Sequence, residues 1–358
     1  MLRGLQGETA SMSATASRPA SGESRPNLRP RPDFLESLRA VKSPLIAGHV
    51  TPDADCLGST FGLAMAMREY GIDARVGLPP GCVANKIAFM LDLGADVPRV
   101  MEWDPSGPQD SIIVIDTAAE KRINLQPPPP LAGPVPSFNI DHHITNTDFG
   151  ANNWVDPHAS SSCEMIAVLL DSLGWQASSR VASLLYAGIY GDTGGFSLPC
   201  TSAESLRVAA ELVRGGADVA HIGEQLCRSQ NRSDFELLRR VYDHTTVVAD
   251  GRIAYSHLSY RDITDAGCRA DDIDDQVSIP RALKGVVLAM LFSEGEPGVI
   301  RVNLRGEGRV TVVELAQKFG GGGHSQSAGV KMKNKSMDQA IAEVVAAATE
   351  HLRNSGVL

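Results

Sequence analysis

A chain of 358 residues, 43% hydrophobic and 21% charged, carries enough apolar material for two ordinary folded domains. Its net charge of −9 and 5% aromatic content argue against a grip on long nucleic acid, which needs a basic stripe or a row of stacking platforms, and leave short anionic substrates as the better match. The longest apolar run, Gly285 to Phe292, is sized for a buried strand and not a membrane span, and the N-terminus lacks the apolar core of a secretory signal, so no membrane association and a cytoplasmic location are expected.

Residues 1–32, rich in Ser, Ala, Arg and Pro, read as a disordered tail. From Asp33 strand and helix alternate. Leu45 to Ala47 is a short strand running into Gly48-His49, and Leu57, Phe61, Ala64 and Met67 then recur at helical spacing until about Gly71. Ile112 to Ile115 is wholly apolar, as a strand covered on both faces should be, and stops at Asp116. A proline-rich loop, Gln126 to Pro136, precedes a further strand, Phe138 to Ile140, that ends at Asp141-His142-His143. Ser161 and Glu164 spell a capping box ahead of a helix carrying Met165, Ile166, Leu169 and Leu170. The apolar helical stretch Val181 to Ile189 delivers Tyr190-Gly191-Asp192.

A polar helical connector is expected over 219–245. Strands Arg252 to His257, Val286 to Phe292 and Val299 to Leu304 then announce a second unit, which closes on Gly320-Gly321-Gly322-Gly323-His324 and a helix from Met337 to about Leu352. The expected fold class is α/β with two α/β domains: a mostly parallel sheet flanked by helices over 33–218 and a smaller mixed-sheet domain over 246–352, with the active-site cleft between them. Open parallel sheets place ligands beyond the carboxyl ends of their strands, where His49, Asp116 and Asp141 fall.

These residues form a constellation. In GHVTPDADCLGS, His49 is followed by Asp53 and Asp55 on a turn; Asp116, His142, His143 and Asp192 join them from other elements. Asp53 and Asp55 taken alone would be a turn and an N-cap, and His49 an ordinary loop histidine; their joint occurrence at successive strand ends is what carries chemistry. Carboxylates and imidazoles without a thiolate suit Mn²⁺ or Mg²⁺ better than a structural zinc. Acids so clustered raise one another's pKa unless cations neutralise them, and this set could hold two ions that polarise a phosphoryl oxygen and acidify a water. Gly320 to Gly323 could bring backbone N–H groups to a phosphate, with Arg301 and Arg305 as candidate clamps.

His49-x3-Asp53-x-Asp55, Asp116-Thr117, Asp141-His142-His143 and Gly191-Asp192-Thr193-Gly194, followed by NLRGEG and FGGGGHSQSAG, resemble the ordered motifs of the DHH phosphoesterase superfamily and its NrnA-type nanoRNase/pAp-phosphatase group, over about Asp33 to Leu352. The resemblance implies two Mn²⁺ ions, with Mg²⁺ or Co²⁺ as substitutes. His49, Asp53 and Asp116 would ligate one and Asp55, Asp116, His142 and Asp192 the other, Asp116 bridging. Asp116, His142 and His143 would be catalytic, His143 either beside the scissile phosphate or supporting a ligand. His143, Arg305, Gly321, Gly322, Gly323 and His324 would bind substrate: short RNA oligonucleotides, linear dinucleotides or 3′-phosphoadenosine 5′-phosphate. A cyclic-dinucleotide phosphodiesterase, an exopolyphosphatase or pyrophosphatase, and a catalytically dead nucleotide sensor are the competing functions. Oligomeric state is left open, a homodimer included. In two places the chain departs from the pattern: Ser197 stands where many relatives have arginine, and Gly306 follows Arg305 where serine is usual.

Overall fold

The computed structural model describes residues 28–358 apart from 103, 105, 126, 130, 132, 134, 229–231, 270–272 and 324. Most of the expected tail therefore lies outside the described residues, as does His324. Residues 28–32 are structured rather than tail: Leu28 is buried, Arg29 pairs with Asp171 at 3.1 Å, and a helix starts at Pro32. The chain divides into two compact units, 1–229 and 230–358.

The first unit runs α1 (Pro32–Arg39), β1 (Pro44–Ala47), α2 (Ala54–Glu69), β2 (Arg75–Gly77), α3 (Phe89–Leu93), β3 (Arg99–Val100), β4 (Ser111–Ile115), β5 (Ser137–Asp141), β6 (Asn152–Val155), α4 (Ser162–Leu173), α5 (Ser179–Asp192), α6 (Ala203–Arg214) and α7 (Val219–Arg228). Its strands form a parallel sheet in the order β3-β2-β1-β4-β5-β6. The order reverses direction between β1 and β4, and there the connections leave on opposite sides and open a crevice at the carboxyl edge. All residues of β1, β4 and β5 are buried; the apolar runs Leu45 to Ala47 and Ile112 to Ile115 require this of β1 and β4, whereas β5 also buries Ser137, Asn139 and Asp141. One face packs a core of Ile46, Ile113, Ile115 and Phe138 with apolar residues of α2, α4 and α5; Leu45, Ala47, Ile112 and Val114 form a smaller core on the other.

One helix terminus and the expected connector differ from expectation. Ser161 accepts a hydrogen bond from the Glu164 N–H, but Glu164 does not reciprocate to Ser161: its Oε2 accepts from the N–H and hydroxyl of Ser160, so the box is only half formed. The expected connector is two helices, α7 in the first unit and α8 (Arg232–Asp243) in the second.

The second unit continues β7 (Thr246–Val248), β8 (Ile253–Leu258), α9 (Tyr260–Asp265), α10 (Ser278–Arg281), β9 (Leu288–Glu296), β10 (Val299–Gly306), α11 (Val313–Lys318), β11 (Gly322–Gly323), β12 (Ser327–Lys333) and α12 (Met337–Asn354). The sheet order is β11-β12-β10-β9-β8-β7, mixed because β8 and β9 run parallel and the other pairs antiparallel. Leu315 of α11 and Ala340, Val344, Ala348 and Leu352 of α12 cover one face, and Leu237 and Val241 of α8 with Ile263 of α9 cover the other. Among the described residues no helix is long and apolar enough to cross a membrane.

Candidate metal centre

Groups far apart in sequence converge at the carboxyl edge of the first sheet. His49 follows β1. Asp53 is the N-cap of α2, accepting from the N–H groups of Asp55 and Cys56 at 3.0 Å each, so its cap role and its place in the site coexist. Asp55 belongs to the first turn of that helix, not to a preceding turn. Asp116 follows β4 with φ of 55°, a left-handed conformation that aspartate tolerates better than most residues. His142 follows β5, and Asp192 is the last residue of α5.

His49 Nε2 stands 3.8 Å from Asp53 Oδ2 and 3.4 Å from Asp116 Oδ2. His142 Nε2 stands 3.4 Å from Asp116 Oδ1, 3.3 Å from Asp192 Oδ2 and 3.8 Å from Asp55 Oδ2. Two atoms each about 2.1 Å from one cation and at right angles lie about 3 Å apart, so these separations suit donors around an ion. The two oxygens of Asp116 are divided, one toward each histidine. His49 Nδ1 is buried with no hydrogen-bond partner among the described residues. The residues present therefore fit a pair of divalent cations.

Charge makes the same point. Burial, then the neighbouring Asp116, pushes Asp55 up to about 7. Burial and Asp55 likewise hold Asp192 well above the usual carboxylate range. Burial opposes a charge on His142, but Asp116, Asp55 and Asp192 outweigh it and raise the ring to about 10. Burial opposes charge on Asp116 too, yet the two imidazoles bring it below its ordinary value. Without cations the cluster holds its excess acids by binding protons, which a dication must displace. Metal binding is thus expected to release protons, and affinity to climb as pH rises through about 7, where Asp55 gives up its proton. Calorimetry in buffers of different ionisation enthalpy measures this; equal heats in both would contradict it.

Asp55 is held by the start of α4: its Oδ2 accepts from the Ser162 N–H at 2.7 Å and its Oδ1 from the Cys163 N–H at 2.8 Å. The helix N-terminus thereby stabilises the carboxylate that burial penalises. Asp141, fully buried, works through His143: its Oδ1 is 2.7 Å from His143 Nδ1, while its Oδ2 accepts from Asn146 Nδ2 at 2.5 Å. Asn146 also donates to Asn139 Oδ1 at 2.8 Å. This chain orients the imidazole with Nδ1 engaged and leaves Nε2 for other work. Asn146→Ala is expected to lower kcat by about 10–100-fold with metal stoichiometry unchanged, as loss of an orienting partner does; kinetics plus metal analysis checks it, and an unchanged kcat would refute the orienting role.

Asn146, the α4 amides and Cys56, whose sulfur lies near His49 and Asp116, were not singled out by sequence reasoning. The Ser161 cap does mark a helix N-terminus, where anions are favoured, so the α4 contribution had a signal; Asn146 had none.

The remaining candidates lie in the second unit. Arg305 on β10 pairs with Ser327, and Gly323 pairs with Ala328 next to it, so the strand register sets both at one end of the sheet. The glycine run is more than a pliant loop, because Gly322 and Gly323 form β11. A Cβ on Gly321 would lie 2.2 Å from the Gly329 carbonyl oxygen, and one on Gly323, with φ of 145°, 2.4 Å from that of Ser327. Gly306 has a similar reason: a Cβ there would meet the Val310 oxygen at 2.1 Å, which excludes the usual serine. Ser197 donates to the Gly194 carbonyl at 2.6 Å, closing the turn after α5.

The model of the DHH family N-terminal domain matches residues 44–189, and that of the DHHA1 domain residues 250–354. The "bifunctional oligoribonuclease and PAP phosphatase NrnA" of Thermus thermophilus is 33% identical over 90% of this chain and 94% of its own length. This chain belongs to the DHH family and is of the NrnA type. It is therefore a phosphoesterase, and DHH phosphoesterases depend on metal. The Bacillus subtilis protein of the same name is 28% identical over 89% of the chain and 99% of its own. Among solved structures, an exopolyphosphatase-related protein from Bacteroides fragilis shares the DHH fold with a TM-score of 0.80 at 24% identity, covering 91% of this chain and 98% of that one.

Proposed function

We propose that this chain is a manganese-dependent phosphoesterase that hydrolyses short oligoribonucleotides and 3′-phosphoadenosine 5′-phosphate in the cytoplasm. The observation that carries this reading is the division of Asp116 between two donor groups, with Oδ2 toward His49 and Oδ1 toward His142. The names of the Thermus and Bacillus relatives supply the substrate class.

In this reading His49, Asp53 and Asp116 would hold one ion and Asp55, Asp116, His142 and Asp192 the other. Bound there, the pair supplies charge neutralisation at the phosphoryl group and a lowered pKa for the attacking water. His143, oriented by Asp141, faces the scissile phosphate as a hydrogen-bond donor or proton source. Burial opposes charge on this ring, but Asp141 outweighs it and raises its pKa, favouring the protonated form. In the second unit Arg305 and the backbone of Gly321, Gly322 and Gly323 take the substrate's distal phosphate. Among the described residues, its chain neighbours aside, nothing lies within 4 Å of where a Cβ on Gly322 would stand, which leaves it approachable.

A panel of dinucleotides, a five-nucleotide RNA, 3′-phosphoadenosine 5′-phosphate, cyclic di-AMP and pyrophosphate, each with Mn²⁺, tests the reading. Turnover of the dinucleotides and the bisphosphate is expected. Preference for pyrophosphate or the cyclic dinucleotide would overturn it, and intact metal binding with no turnover would point to a sensor. Arg305→Ala should raise KM about tenfold and shift length preference while leaving kcat and metal content unchanged, since it removes binding and not chemistry. An unchanged KM would remove Arg305 from the site.

A further inference from the structure

Cys56 belongs to none of the roles above, yet its sulfur, a His49 ring nitrogen and an Asp116 oxygen lie within 4.8 Å of one another, all three residues buried. The sulfur is fixed in place. It sits over Gly48, where an added Cβ would meet it at 2.2 Å, against the residue that precedes His49. Beside it the His49 side chain is only 8% exposed, and its Nε2 faces Asp116 Oδ2 at 3.4 Å, so the sulfur joins two groups already turned toward one point. A tetrahedral zinc with ligands at about 2.0 to 2.3 Å sets its donors about 3.3 to 3.7 Å apart; His49 Nε2 and Asp116 Oδ2, 3.4 Å apart, already meet that span.

We propose that Cys56, His49 and Asp116 form a binding site for thiophilic dications, such as Zn²⁺, Cd²⁺ or Co²⁺, that competes with the hard-ion centre; this rests on the metal-centre reading above. Hard Mn²⁺ has little affinity for sulfur and is served by Asp53 and Asp116 with His49. A thiophilic ion gains the sulfur as ligand: the thiol proton leaves to solvent as the sulfur–metal bond forms, and no electron is transferred. Zinc held this way occupies two of the donors that the first Mn²⁺ needs, so it inhibits.

The test uses the full chain stripped of metal and titrated with Co²⁺. A near-ultraviolet thiolate-to-cobalt charge-transfer band is expected, and Cys56→Ala should lose it while keeping the visible bands of bound cobalt. The same variant should bind Zn²⁺ about 100-fold more weakly, at the upper end of what loss of even an outer partner costs. Visible cobalt bands without the charge-transfer band in the unaltered chain, or a band that survives in Cys56→Ala, would overturn the proposal. Should the variant fail to fold, cadmium-113 NMR of the unaltered chain decides, because one sulfur ligand moves the resonance far downfield of an all-nitrogen-and-oxygen site. Mn²⁺-dependent dinucleotide hydrolysis by the unaltered chain is measured alongside: turnover without the band sinks this inference alone, and absence of both cobalt binding and turnover sinks the metal-centre reading with it.

Discussion

Asp116→Asn is expected to abolish hydrolysis of every substrate in the panel, lowering kcat by roughly 10³-fold or more, because one carboxylate faces both donor groups. Removing a single preorganised electrostatic contact typically costs about 10²- to 10³-fold, and this substitution weakens two cation sites together. Asparagine is the informative replacement. It tolerates the left-handed backbone that Asp116 adopts at φ 55°, so the fold is spared, whereas alanine would add strain. The loss should extend to binding, with metal analysis showing both ions weakened and not one. Wild-type kcat in excess Mn²⁺ would mean that Asp116 does not bridge.

Gly188→Ala should be nearly as damaging, although glycine offers no side chain to the reaction. Gly188 lies on α5 where it crosses α2 and α4. A Cβ there would stand 2.2 Å from Cys163 Sγ and 3.0 Å from both the Cα and Oδ1 of Asp55. Overpacking of this kind costs about 1–3 kcal/mol, and here the displaced neighbour is a candidate ligand. Gly188→Ala is therefore expected to lower the melting temperature by several degrees, to reduce bound Mn²⁺ from two ions toward one, and to cut kcat about 100-fold. Adding Cys163→Ala removes the shortest clash and should restore much of the lost stability. Two ions and a kcat within about threefold of the unaltered chain would show that Asp55 does not feel this contact.

How much of this could be read from the chain depends on how local each cause is. The apolar runs at β1 and β4, ending close to His49 and Asp116, were legible because a doubly covered strand needs an unbroken apolar run and a parallel sheet presents its carboxyl ends to ligands; β5, which alternates polar and apolar residues, was legible from Phe138 and Ile140 ahead of Asp141-His142-His143. His49, Asp53, Asp55, Asp116, His142 and Asp192 could be named from their spacing. The half-formed box at Ser161 was not legible, since Ser160 and Ser161 are equally local partners for Glu164 and packing chose between them. Nor was β11 within the glycine run, whose pairing is decided by β12 and not by propensity.

The sequence by itself determined the alternation of elements, the family and the chemical nature of the donor set, because periodicity and residue type are properties of neighbours along the chain. The tertiary structure alone decided that Asp116 turns one oxygen to each histidine, that the amides of α4 hold Asp55, that Asn146 and Asp141 orient His143, and that the Cys56 sulfur rests on Gly48 beside His49. The physical reason is that each of these is a contact of a few ångströms, some between groups 108 residues apart and others between near neighbours turned together by a loop or a helix start. Such contacts are set by how helices and sheet pack, and no spacing in the sequence encodes their distance or direction.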